Sequence, residues 1–384
     1  MPEKRYLVTP GPTPVPPEVL AATARPMIHH RGPDFRATLA RVIERLKLVF
    51  RTENELLTFT SAGTGVMESS VQNLCSTGDR VLVVSHGYFG ERFAAITGAY
   101  GCDVVHLRYP WGESPSADEV GEKLEEMGGA RVIFLTHSDT STGVVSDLRA
   151  IAERLNGTEA IVVVDAISSL AAVPLETDAW GLDVVITSSH KALMCPPGLA
   201  FASVSERAFE VARSAASPRY YFDWERTRAA QEKGENPFSP AISLYIGVDV
   251  ALGMILDEGV EAAHERHVRL GRACRAGVKA MGLELFSPDE DRAAVVTAIR
   301  MPADVDGQAI VLSMRERSGV TIIGGQGEVR GKIVRIGHIG YVDVFDVTTA
   351  LAALEVALVE AGADVERAVA VTAALEAFAE PVSV

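Results

Sequence analysis

Leu182-Asp183-Val184-Val185-Ile186-Thr187-Ser188-Ser189-His190-Lys191 is the stretch on which the reading of this chain turns. Its β-branched core has the length and continuous apolarity of a strand buried on both faces, and small polar residues end it. The lysine stands just past that end, ahead of the turn-forming Pro196-Pro197-Gly198. A second run of the same kind, Ile161-Val162-Val163-Val164, ends in Asp165, 26 positions before Lys191. Open α/β sheets collect function at the carboxyl ends of their strands, where this acid and this amine both fall. A third element is Thr60-Ser61-Ala62-Gly63-Thr64-Gly65, which follows the hydrophobic Glu55-Leu56-Leu57-Thr58-Phe59 and opens a helix-like segment at Val66. Small residues there let backbone amides approach an anion at a helix N-terminus. Taken singly, each feature has a plain structural use: a solvated lysine, a capping aspartate, a tight turn.

Outward from these elements the pattern alternates between strand and helix periods. Arg80 to Val84, Asp103 to Leu107, Arg131 to Leu135, Ile161 to Val164, Leu182 to Ile186 and Leu199 to Ala202 read as short, doubly buried strands. Phe35, Leu39, Val42, Ile43, Leu46, Val49 and Phe50 fall at helical spacing after Pro33-Asp34 and make one apolar stripe. The fold class expected is α/β, with helices on both faces of a mostly parallel sheet. Past Gly259 the texture changes to a charged helix over 260–280, strands at Ala294 to Ile299 and Ile333 to Ile336, and two amphipathic helices beginning near Asp343 and Asp364. That pattern predicts a smaller α+β domain over 260–384. A large domain over 21–259 and an N-terminal segment over 1–20 near the active site complete the division, since 384 residues exceed what one core usually holds.

Composition excludes several classes. A net charge of −15, from 36 basic and 51 acidic side chains, argues against nucleic-acid or anionic-membrane surfaces. Cys75, Cys102, Cys195 and Cys274 are too scattered for a zinc site or a disulfide framework. With no secretory apolar segment near the first motif, cytoplasm is the compartment expected.

A strand-end acid with a strand-end lysine suits pyridoxal phosphate: the amine forms a Schiff base with the cofactor aldehyde, and the carboxylate keeps the pyridine nitrogen protonated. Five ordered motifs carry a resemblance over nearly the whole chain: Leu7-Val8-Thr9-Pro10-Gly11-Pro12-Thr13, Thr136-His137-Ser138-Asp139-Thr140-Ser141-Thr142-Gly143, Val164-Asp165-Ala166-Ile167-Ser168-Ser169, Ser188-Ser189-His190-Lys191 and Val334-Arg335-Ile336-Gly337-His338-Ile339-Gly340. The chain resembles class V aminotransferases of the pyridoxal phosphate fold type I, in the alanine:glyoxylate and serine:pyruvate branch.

The resemblance implies Lys191 as the catalytic lysine and Asp165, with Ala166 and Ile167, under the ring. It puts Ala62, Gly63 and Thr64 at the phosphate and Phe89 as a stacking aromatic where several relatives have Trp. Thr140 falls where a hydroxyl reaches the ring oxygen, and His190 where some relatives use Gln against the phosphate. Ser239, in Asn236-Pro237-Phe238-Ser239-Pro240, would reach the phosphate of a neighbouring subunit, which makes a homodimer the expected assembly. Gly11 and Arg335 are assigned to substrate, because a guanidinium offers a planar two-point grip on an α-carboxylate. The implied reaction moves an amino group from alanine or serine to glyoxylate or pyruvate by a ping-pong route. Aspartate or 2-aminoethylphosphonate donors, a cysteine desulfurase or related lyase, a nicotinamide dehydrogenase and a non-catalytic member stay open as alternatives.

Overall fold

Val162 and Val164 face one side of their strand and Ile161 and Val163 the other, and both sides are covered in the computed structural model, which describes residues 4–382. The first three residues of the expected N-terminal segment and the last two of the expected C-terminal domain lie outside the described residues. The alternation is why these runs are apolar throughout: a strand between two helical layers has no solvent face. One layer includes α1 (Pro33–Phe50) and the other α2 (Gly63–Leu74) and α3 (Tyr88–Ala99). The helix α1 buries Phe35, Leu39, Val42, Leu46, Val49 and Phe50, with Pro33 in its first turn and Arg51 in the left-handed conformation (φ 56°) at its end.

Seven strands form the main sheet: β1 (Glu55–Ser61), β2 (Arg80–Ser85), β3 (Asp103–Arg108), β4 (Val132–Thr136), β5 (Ile161–Asp165), β6 (Val184–Ser188) and β7 (Gly198–Val204). Their spatial order is β1-β7-β6-β5-β4-β2-β3. From β6 to β3 all pairings are parallel, whereas β7 is antiparallel to both β6 and β1. Two antiparallel steps restore direction, so β1 ends at the same edge of the sheet as β4, β5 and β6. The three elements singled out in the sequence therefore meet at one edge. The strand β3 departs from expectation in being only half-buried, because it pairs with β2 alone and forms the sheet's margin.

After α4 (Ile242–Glu258) comes α5 (Val260–Ala280), whose Leu270, Ala273, Cys274 and Val278 belong to a second apolar core. That core surrounds β8 (Val296–Arg300), β9 (Ile323–Gly324) and β10 (Ile333–Gly337), an antiparallel sheet in the order β8-β10-β9. Val8 joins this core, and Tyr6–Leu7 pairs in parallel with Val320–Thr321. The helix α6 (Val344–Glu360) starts where expected, with Asp343 capping it through the amides of Phe345 and Asp346. The last helix, α7 (Ala370–Ala379), begins six residues later than the Asp364 signal suggested. Ala368 has φ 60° and donates its N–H to Glu355 Oε1 at 2.9 Å, which no continuous helix accommodates.

Candidate active site

Asp165 is the last residue of β5, and Lys191 follows β6 by three residues. Both line one cavity of about 200 Å³, together with Gly11, Ala62, Gly63, Thr64, Phe89, Arg92, Ser138, Ile167, Ser168 and His190. Ile167 N–H donates to Asp165 Oδ1 at 2.8 Å. Burial pushes the Asp165 carboxyl up to about 7, with Asp139 adding to the rise and Lys191 and Arg92 opposing it. Burial likewise brings the Lys191 ammonium down to about 8 despite the nearby Asp165. Desolvation thus outweighs the mutual attraction of the two groups, so each is an under-compensated charge facing an open cavity.

The N-terminal segment holds the lysine. Lys191 Nζ donates to Pro10 O at 2.6 Å, and Thr13 Oγ1 donates to Lys191 O at 3.0 Å. Gly11, at φ 148°, allows this packing, because a Cβ there would lie 2.3 Å from Lys191 Nζ. His190, half-buried beside the lysine, contacts Ser188 Oγ through Nδ1 at 3.1 Å. Burial and the neighbouring Lys191 lower its imidazole to about 4, so it is neutral at pH 7.

On the opposite wall, α2 begins at Gly63 without a side-chain cap, which leaves its first amides available to an anion. Phe89 sits in the first turn of α3. Arg92, one helical turn further on, donates to Thr64 Oγ1 at 2.8 Å, and its Cζ lies 4.8 Å from the centre of the Phe89 ring. The role of Arg92 escaped the sequence reading. The i,i+3 spacing from Phe89 was the available signal, since it sets both side chains on one helix face. Ser138 and Ser168, members of two of the sequence motifs, also line the cavity.

Not every expected residue reaches it. Ala166 is buried behind Asp165, its N–H bonded to Ile186 O at 2.9 Å. Thr140 is buried and contributes its backbone oxygen, which accepts from Arg335 Nη1 at 2.6 Å. Arg335 itself, on β10, is 1% exposed and does not line the cavity. Its Nε and Nη2 donate to Gly324 O at 3.1 and 2.6 Å. These bonds use three of the five N–H groups of a guanidinium and leave one on each terminal nitrogen. Burial lowers the Arg335 guanidinium to about 10, Asp139 opposing the change, and it remains cationic at pH 7. Ser239 lies in a separate small cavity with Thr58, Thr60, Tyr221, Asn236 and Phe238.

The family model described as Aminotransferase class-V matches residues 5–341. A protein of Synechococcus sp. (strain PCC 6716) named "Soluble hydrogenase, small subunit" is 39% identical over 94% of this chain and 95% of its own. The L-aspartate--glyoxylate aminotransferase of Paracoccus denitrificans is 34% identical over 98% of this chain and 97% of its own. The crystal structure of an alanine--glyoxylate aminotransferase from Nostoc sp. superposes with a TM-score of 0.89 at 31% identity, covering 93% of this chain and 97% of that one. The chain belongs to the class V aminotransferase family. It is a pyridoxal 5′-phosphate-dependent transaminase of fold type I.

The cavity fits that cofactor. Asp165 is a desolvated carboxylate awaiting a cation, Lys191 an amine with a lowered pKa, and the start of α2 an uncapped set of amides. Ser138 Oγ, on the cavity wall, is a buried hydroxyl without a hydrogen-bond partner among the described residues.

Proposed function

We propose that this enzyme transfers the amino group of a small amino acid, alanine or serine, to glyoxylate, with pyruvate as a second acceptor. The convergence of Lys191 and Asp165 on one small cavity carries the reading. Lys191 is the catalytic residue: its Nζ would hold the cofactor and, when free, would take the proton from the substrate Cα. Bound cofactor supplies an electron sink for the carbanion so formed. Asp165 would keep the ring nitrogen protonated, Phe89 would give the ring a flat neighbour, and Ala62, Gly63 and Thr64 would present amides to the phosphate. Ile167 and His190 bound the same pocket, and Gly11 leaves room for substrate beside Lys191.

Arg335 stops short of the cavity wall, but its charge is felt at Lys191, and it is the guanidinium we assign to the substrate carboxylate through its two remaining terminal N–H groups. Support for glyoxylate comes from the Paracoccus and Nostoc relatives, both named as glyoxylate aminotransferases. A dicarboxylic donor such as aspartate is the second reading, favoured by Arg92, a further guanidinium on the cavity wall. We also place Ser239 at a homodimer interface, where exposed Tyr220 and Tyr221 and the stacked Tyr221–Phe238 pair form an aromatic patch. Among the described residues no helix is long and apolar enough to cross a membrane, and cytoplasm is the proposed compartment.

The test is a donor and acceptor screen on the cofactor-loaded enzyme, following each half-reaction by absorbance. Highest kcat/KM is expected with alanine or serine against glyoxylate, with parallel double-reciprocal plots. Aspartate exceeding both donors would transfer the assignment to the second reading. Light scattering checks the dimer, and a monomer with full activity would remove Ser239 from the site.

A further inference from the structure

The helix α3 carries Phe89, yet none of its own side chains caps it. Its first amides are taken by a turn from elsewhere in the chain. Tyr88 N–H donates to Ser141 Oγ at 2.9 Å, while Phe89 and Gly90 N–H donate to Asp139 Oδ2 at 2.9 and 3.3 Å. The other oxygen, Asp139 Oδ1, accepts from Ser141 N–H at 3.0 Å and Ser141 Oγ–H at 2.6 Å. Asp139 is fully buried and makes no ion pair among the described residues. Burying a carboxylate is costly even with Arg335 and Lys191 near enough to feel its charge, and serine or asparagine can cap a helix without that cost. Here the two carboxylate oxygens divide the work: one holds the helix and the other holds the turn.

The fit around it is close. Gly87 has extended backbone, but a Cβ at this position would lie 2.4 Å from Asp139 Cγ. The turn is pinned by a two-residue ladder pairing Ser138 with Val145 and Asp139 with Val144. Its next residue, Thr140, provides the carbonyl that holds Arg335 of β10. One turn thus fastens both the aromatic wall of the cavity and the arginine of the second core.

We propose that Asp139, assisted by Ser141, is a positioning residue for transamination: it seats Phe89 against the cofactor ring by fixing the first turn of α3. The proposal rests on the reading of Phe89 as the ring's flat neighbour. Asparagine at position 139 has a single acceptor oxygen, so it can accept from the helix amides or from Ser141 N–H and not both. The first turn of α3 then shifts, and Phe89 with it. A displacement of about 1 Å at a reacting centre can cost about 100-fold in rate.

The experiment compares loaded wild-type enzyme with Asp139→Asn, Ser141→Ala, Gly87→Ala, Phe89→Ala and the double variant Phe89→Ala/Asp139→Asn. Thermal unfolding reports the fold, visible circular dichroism of bound cofactor reports the seat of the ring, and kcat and KM are measured separately. Asp139→Asn is expected to lower kcat about 10- to 100-fold, with a smaller change in KM and a weakened visible dichroic band. Gly87→Ala, which keeps the charge and crowds the carboxylate, is expected to give the same signature. In the Phe89→Ala background the Asp139→Asn effect should shrink to within about threefold, because two residues acting through one contact are not additive. A folded Asp139→Asn enzyme with wild-type kcat and dichroism overturns the proposal, and so does a full loss that persists without Phe89. If Asp139→Asn does not fold, Ser141→Ala and Gly87→Ala decide: unchanged kcat and dichroism in both reject it. Phe89→Ala with unchanged dichroism and kcat would instead reject the ring-stacking reading itself.

Discussion

The sheet-end pair Asp165 and Lys191 and the β10 arginine, Arg335, are all buried and all shifted by burial, yet they differ in how far hydrogen bonds compensate them. Asp165 and Lys191 are only sparsely hydrogen-bonded and carry pKa values pulled toward neutrality by burial, to about 7 and about 8. Arg335 is fastened to two backbone carbonyls by three hydrogen bonds. The first arrangement stores unsatisfied electrostatics for a ligand, and the second spends part of the donor set on holding position. The under-compensated pair thus lies at the edge of the large sheet, while the second core holds a guanidinium in a fixed place.

The comparison breaks most visibly at the lysine. Lys191→Ala should lose about 10⁴-fold or more in kcat and the visible band of the loaded enzyme, with the fold retained. Ordinary steady-state transamination by this variant would remove Lys191 from its role. Arg335→Lys should be milder: cofactor spectrum kept, and kcat/KM reduced by about 2–4 kcal/mol for donor and acceptor alike, since both present an α-carboxylate. Impairment with only one of them would mean that another cation holds the carboxylate. Of the alternatives, Arg219 already donates to Ala212 O and Ala215 O, and Arg31 is exposed beside Glu235.

Two smaller effects sharpen the contrast in solution. The Lys191 amine reacts only when unprotonated, so cofactor capture by the apoprotein should speed up as pH rises to about 8 and level off above it. Stopped-flow absorbance reads this directly, and a rate still climbing toward the 10.5 of an ordinary lysine would contradict the burial argument. The least effect concerns apoprotein stability. Because the folded Asp165 value, about 7, lies above the ordinary 3.8 of an aspartate, the group's favourable contribution is present below that ordinary value and is lost as pH rises through about 7. Asp165→Asn should therefore raise the apoprotein Tm at pH 8 by at least about 2 °C, the gain fading toward pH 4, while greatly lowering turnover. An apoprotein less stable at pH 8 than wild type would show that the carboxylate is better compensated than its surroundings suggest.

Much of this was legible along the chain. The strands β2 and β4 to β7 were readable because burial on both faces leaves an unbroken apolar run, and Asp165 and Lys191 because they end such runs. The marginal position of β3 was not, since an edge strand and an inner strand of similar composition differ only in their neighbours. Ser138 and Asp139 were visible as members of a motif, but their separate orientations arise from a two-residue ladder and from bonds to a helix about fifty residues away. The late start of α7 escaped because nothing in Asp364 to Val369 announces that Ala368 turns left-handed.

By itself the sequence determined which segments become strands and helices, and that an acid, a lysine and a small-residue turn sit at strand ends, because those properties depend on local periodicity and side-chain type. Only the tertiary structure decided that two antiparallel steps return β1 to the edge of β5 and β6, that Arg92 joins Thr64 to Phe89, that the Thr140 carbonyl holds Arg335, and that Asp139 caps α3. These are hydrogen bonds and desolvation between residues distant in sequence, whose energies exist only once the chain has brought the partners together and excluded water from between them.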